Sequence, residues 1–111
     1  VPYSITANSQ LSIIHCFMPK LWLLCYDIRD DKRRAKLVKL LEQRCQRVQY
    51  SVFECPLDDK DLNYLLEKRW LPVLKLSEDN LRIYPLDETA KKNTKVFGGE
   101  PPYEPPDYLI L

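Results

Sequence analysis

One carboxylate, Asp27, closes an otherwise apolar run, Leu21-Trp22-Leu23-Leu24-Cys25-Tyr26, and a segment dense in Lys and Arg follows at once. A carboxylate is a hard oxygen ligand for Mg²⁺, and Lys and Arg neutralise phosphate oxygens. The combination suits phosphodiester chemistry: a cation site beside a phosphate track. From position 29 to position 47 there are eight basic residues (Arg29, Lys32, Arg33, Arg34, Lys36, Lys39, Arg44, Arg47) against Asp30, Asp31 and Glu42. That segment is +5 while the 111-residue chain is +1, so the remainder carries −4. The asymmetry points to a polyanionic partner, with a solvated helix face as the competing explanation. Arg33, Arg34, Lys36 and Arg47 are the candidate phosphate contacts.

A charge at the end of an apolar strand needs a partner if it is buried. Two are open to Asp27. In a two-fold dimer packed through this face, the Asp27 carboxylates of both subunits approach the axis. With water and phosphate oxygens they would form an Mg²⁺ site that polarises a scissile phosphate and activates water. The other partner is Arg29, Arg33 or Arg34 at the start of the following helix. No second carboxylate follows in a DxD or ExK arrangement and no His stands nearby, which argues against a two-metal nuclease built by one subunit. Tyr50 and Phe53 are aromatic enough to stack on bases, but such residues also serve as core or interface aromatics. No recognition-helix or RNP-like pattern suggests base-specific reading.

The elements that must position these residues follow from periodicity. Residues 21–28 are apolar on both alternating sets, as in a strand covered on both faces. In a chain this short, helices cover one face and a second copy of the sheet the other. Asp30 and Asp31 open a helix, and Leu37, Val38, Leu41 and Cys45 recur at helical spacing. Lys32, Lys36 and Lys39 keep the same period on another face. Residues 47–57 are β-branched and aromatic, long enough for two strands breaking near Ser51. Asp58 or Asp59 opens a second helix carrying Leu62, Leu65, Leu66 and Trp70, which Pro72 must kink or end. By pattern alone 73–76 is helix or strand. A turn at 77–80, a strand at 81–86 and a short strand at 94–97 ending at Gly98-Gly99 complete the order. This is a βαββαβ, ferredoxin-like α+β pattern with a short extra C-terminal strand, inviting a dimer packed through the sheet faces.

Cys16, Cys25, Cys45 and Cys55 show no zinc spacing. Cys25 and Cys45 fall at apolar positions and read as buried free thiols, which fits a reducing cytoplasmic setting. His15, the one His, has no ligand set around it. No signal-peptide start is present, and the 11–18 apolar run is too short to span a bilayer, so no membrane role is expected. Met18 precedes the first strand closely. Residues 1–17 therefore read as an upstream extension or an expression artefact, 18–99 as the domain, and 100–111 as a Pro-rich tail able to dock on a sheet edge.

Tyr26-Asp27-Ile28, Asp30-Asp31, Arg34, then Arg47-Val48-Gln49-Tyr50-Ser51-Val52-Phe53-Glu54 and Leu81-Arg82-Ile83-Tyr84-Pro85-Leu86 resemble the Cas2 family of CRISPR-associated proteins across 18–99. The resemblance implies a ferredoxin-like homodimer whose last strand crosses to the partner. It implies Asp27 as the metal residue, with one Mg²⁺ shared at the interface. It marks Arg34 and Phe53 as functional positions with Tyr26 beside them, and it carries the second helix past Pro72 toward Leu76. Lys36 stands where some relatives have Arg, which puts a bidentate phosphate contact there in question. The function implied is spacer acquisition beside the Cas1 integrase, with metal-dependent endonuclease activity on single-stranded RNA or double-stranded DNA. The alternatives are a non-catalytic DNA-holding scaffold and a stand-alone toxin-like RNase.

Overall fold

Alternation along β1 (Lys20–Asp27) sends Trp22, Leu24 and Tyr26 to one face of the sheet and Leu21, Leu23, Cys25 and Asp27 to the other. Leu24 stands opposite Phe53 of β3 (Val52–Leu57) on one side and Ile83 of β4 (Asn80–Leu86) on the other, so the first face is a continuous apolar row. β2 (Gln46–Gln49) pairs with β3, with a register shift between Arg47 and Gln49. The resulting sheet has the order β2-β3-β1-β4, with every neighbour antiparallel. The structure is a computed structural model and describes residues 20–102.

Two helices close over the apolar row. Asp30 caps α1 (Asp31–Glu42), its carboxylate accepting from the Arg33 backbone N–H at 2.9 Å. Leu37 and Leu41, one helical turn apart, are fully buried against the sheet. Asp58 caps α2 (Asp59–Leu65) in the same way, accepting from the Asp61 N–H at 2.7 Å. Beyond Leu65 the helix widens into a π turn over Leu66–Trp70 and then tightens into a 3₁₀ turn over Leu71–Val73. Pro72 is the reason: it has no N–H for the carbonyl one turn back, and its ring crowds that carbonyl. The widened turn carries Trp70 completely into the core. Leu74 is already extended, so the helical run ends short of the expected Leu76, and 73–76 forms no strand. The βαββαβ order and the ferredoxin-like α+β architecture are as expected from the sequence.

Two expectations are corrected. The short strand over 94–97 is not formed. A capped helix, α3 (Glu88–Asn93), precedes that stretch, with Asp87 accepting from the Ala90 N–H at 2.7 Å. Residues 94–97 then have no strand beside them in this chain, and a strand needs a neighbour to satisfy its backbone. Phe97 is left 90% exposed. Gly98 and Gly99 both take φ near +80°, a region open to glycine without strain. The segment arches over the second sheet face and encloses a cleft of about 1220 Å³ bounded by Leu23, Val52 and Glu54 below and Lys95 and Phe97 above.

The second correction concerns Cys45, which is not a free thiol but is disulfide-bonded to Cys55. The end of α1 turns onto the core face of β3, bringing the two Cα atoms within 4.3 Å. Sequence spacing does not report that approach. Cys25 remains a thiol, and the free-thiol argument for a reducing compartment loses half its basis. Among the described residues no helix is long and apolar enough to cross a membrane. The proposed extension at 1–17 and the tail beyond residue 102 lie outside the described residues.

Candidate metal and nucleic-acid site

Asp27 is exposed at the end of β1, opposite Asn80 of β4. Each Arg that the sequence offered as its partner is engaged elsewhere or makes no pair with it. Arg33 closes on Asp79, Nε donating to Oδ2 at 2.8 Å and Nη2 to Oδ1 at 3.0 Å, and reaches Glu78 at 3.1 Å. Arg34 donates to the Ile28 carbonyl at 2.9 Å, to the Arg29 carbonyl and to the Asp31 carboxylate. Asp30 performs the helix capping. Among the described residues no hydrogen bond or ion pair engages the Asp27 carboxylate. The explanation of Asp27 as a structural ion-pair partner is therefore set aside.

The Arg33 hydrogen bonds and the Lys75 backbone N–H at 2.8 Å hold the Asp79 carboxyl below its usual pKa despite its burial. In turn Asp79, then Glu78, keep the Arg33 guanidinium more firmly charged than usual. Arg34 is also raised, first by Asp31, with a smaller share from the neighbouring Tyr50 phenol.

Tyr26 is buried and ties β1 to the tip of the β2–β3 hairpin. Its N–H donates to the Ser51 carbonyl at 3.2 Å, and its hydroxyl donates to the Tyr50 carbonyl at 3.1 Å. Arg47 donates to that same Tyr50 carbonyl from Nε at 3.0 Å and Nη2 at 2.6 Å. Its guanidinium lies 5.1 Å from the Tyr50 ring centre and 5.7 Å from that of Phe53. Phe53 is fully buried beside Tyr26, with ring centres 6.3 Å apart. Phe53 is thus a core support, and stacking of a base on it is sterically closed; Tyr50, 71% exposed, is open.

Of the candidate phosphate contacts, Lys36 stands exposed on α1 with no ion pair among the described residues. Arg33, Arg34 and Arg47 already spend N–H donors inside the chain. Arg29 is likewise exposed and unpaired among the described residues, and so are Lys32 and Lys39, which extend the Lys36 stripe along α1. Their helical spacing was visible in the sequence, but which cations stay uncommitted depends on Asp79, an acid 46 positions from Arg33. Among the described residues no three His, Cys, Asp or Glu side chains gather as a metal site.

The chain thus presents a ferredoxin-like sheet with a bare carboxylate at the end of its first strand and a basic helix following it. Comparison with known proteins narrows this. The family model described as CRISPR associated protein Cas2 matches residues 20–94. A relative from Synechocystis sp. named CRISPR-associated endoribonuclease Cas2 2 is 66% identical over 90 residues, covering 81% of this chain and 97% of that protein. Among solved structures, a chain of a partial Cas6-RT-Cas1–Cas2 complex superposes with a TM-score of 0.65 at 38% identity, covering 78% of this chain and 94% of that one. Streptococcus pyogenes Cas2 superposes with a TM-score of 0.62 at 26% identity, covering 70% and 99%. The chain belongs to the Cas2 family of CRISPR-associated proteins.

Proposed function

We propose that this protein acts in spacer acquisition as a homodimer packed through its second sheet face, with Mg²⁺-dependent endonuclease activity on single-stranded RNA or double-stranded DNA. The bare Asp27 carboxylate is the observation that carries this reading. That carboxylate is exposed and unpaired among the described residues, while Arg33 and Arg34 bond elsewhere. Two Asp27 carboxylates across a two-fold axis fit Mg²⁺, which takes few protein ligands and keeps water. When bound there, the ion would supply Lewis-acid polarisation of a phosphate and a more acidic water. The chain's own part is to hold the phosphate backbone along Lys32, Lys36 and Lys39 and to fix the β1 end through Tyr26. The name of the Synechocystis relative supports nuclease activity, and the Cas1–Cas2 complex supports a Cas1 integrase as partner.

A DNA-holding scaffold without catalysis is the second reading, favoured by the lack, among the described residues, of any cluster of three metal-ligating side chains. Cleavage of matched single-stranded RNA and duplex DNA by wild type and Asp27→Ala, in Mg²⁺ and in EDTA, separates the two. Metal-dependent cutting lost in Asp27→Ala supports the nuclease. Equal cutting by both proteins, or none by either, leaves the scaffold.

A further inference from the structure

Tyr50 stands out once the proposed metal site and the basic stripe are accounted for. It sits at the tip of the β2–β3 hairpin, in the turn joining Gln49 to Val52, and 71% of it is exposed. Its backbone is nevertheless fixed. One carbonyl oxygen receives the Tyr26 hydroxyl and two N–H groups of Arg47. Tyr26 and Arg47 are in turn held by the buried Phe53, against which both pack.

The ring surroundings are cationic. The Arg47 guanidinium covers one face at 5.1 Å. A ring has two faces, and the exposure leaves the second to solvent. A guanidinium behind an aromatic ring, with an open face in front, forms a platform for a flat, electron-rich group carrying a phosphate. The Tyr26 N–H bond to Ser51 sets this platform beside the end of β1, where Asp27 lies.

We propose that Tyr50 is a stacking platform for one unpaired base of a single-stranded RNA whose backbone runs past Asp27. The proposal rests on the reading of the protein as a nucleic-acid-binding nuclease and deepens it by favouring unpaired substrate. A duplex keeps its bases stacked on one another and offers no free π face to the hairpin tip, so Tyr50 discriminates between the two substrate classes.

The test is fluorescence anisotropy in EDTA with three probes: a labelled 12-nucleotide RNA, the same RNA with abasic riboses, and a duplex DNA. Wild type binds the intact RNA more tightly than the abasic one. Tyr50→Ala loses about 5- to 100-fold on intact RNA and is unchanged on abasic RNA and on duplex. Tyr50→Phe stays within about two-fold, since the π face is retained. Equal affinity of wild type for intact and abasic RNA overturns the proposal without reference to any variant's folding. So does an equal loss by Tyr50→Ala on all three probes, and so does no loss on any. In those cases salt-dependent binding by wild type leaves the nucleic-acid reading standing. Absence of wild-type binding to every probe at low salt removes both.

Discussion

Arg33 grips Asp79 through two parallel hydrogen bonds, at 2.8 and 3.0 Å, and the Asp79 side chain is completely buried there. This fork joins the first turn of α1 to the residue before β4 and so frames the end of β1 between them. Removing Arg33 leaves the buried Asp79 carboxylate without its guanidinium partner. Arg33→Ala is expected to lower the melting temperature by more than about 5 °C, measured by circular dichroism. Arg33 in this role belongs to the scaffold of the site, and loss of nucleic-acid affinity in the variant should track loss of folding.

The same pair sets an acid limit. Asp79 has its carboxyl pKa lowered in the folded chain, chiefly by Arg33, from an ordinary value of 3.8. Its stabilising contribution is complete above that ordinary value and is lost as pH falls below it, through the lowered folded value. Glu78, facing Arg33 and Lys75, shifts the same way. Melting temperature followed from pH 6 down to about pH 2 should fall steeply for wild type below pH ~4. Arg33→Ala should show a shallower acid limb. Parallel curves would contradict the assignment.

The free lysines give a different signature. Lys32→Ala, Lys36→Ala and Lys39→Ala should each weaken RNA and duplex binding alike. Each should also reduce the slope of log affinity against log salt by about 1. A variant that changes base preference while keeping the salt slope would show that the stripe does not track phosphate.

Core packing of α1 is tested by Leu37→Ala. Leu37 is fully buried against the sheet, and truncation should cost about 2–5 kcal/mol in urea unfolding. A cost within the range of exposed positions would mean that α1 can slide on the sheet.

The Cys45–Cys55 bond closes a ten-residue separation, and chain entropy assigns such a loop about 2–3 kcal/mol. Thermal melts with and without dithiothreitol should differ accordingly, and Cys25→Ser should leave that difference intact. Identical melts would show the bond to be energetically idle.

Much of the fold was legible because its signals are local. Asp30 and Asp58 cap the helices that their sequence positions suggested, and the break near Ser51 separates β2 from β3. Asp27 was legible as a lone charge ending an apolar strand. Its isolation was not, because that depends on Arg33 finding Asp79, a contact 46 residues long. The same holds for Cys45 and Cys55, which meet through the docking of α1 on β3. The strand expected at 94–97 fails for another reason: strand propensity does not supply a neighbouring strand. Phe53 and Tyr50, three positions apart in the same motif, separate into a buried support and an exposed ring. The bulge between Arg47 and Gln49 and the hairpin turn decide which is which.

The central claim is that Asp27 is left unpaired because a cation shared by two chains takes it. Mn²⁺, a spectroscopic substitute for Mg²⁺, can be titrated into wild type and Asp27→Asn and the bound fraction read by electron paramagnetic resonance. The account expects one tightly bound ion per two wild-type chains and none in Asp27→Asn, with both proteins equally folded and equally dimeric. One ion per chain, or undiminished binding by Asp27→Asn, would contradict it.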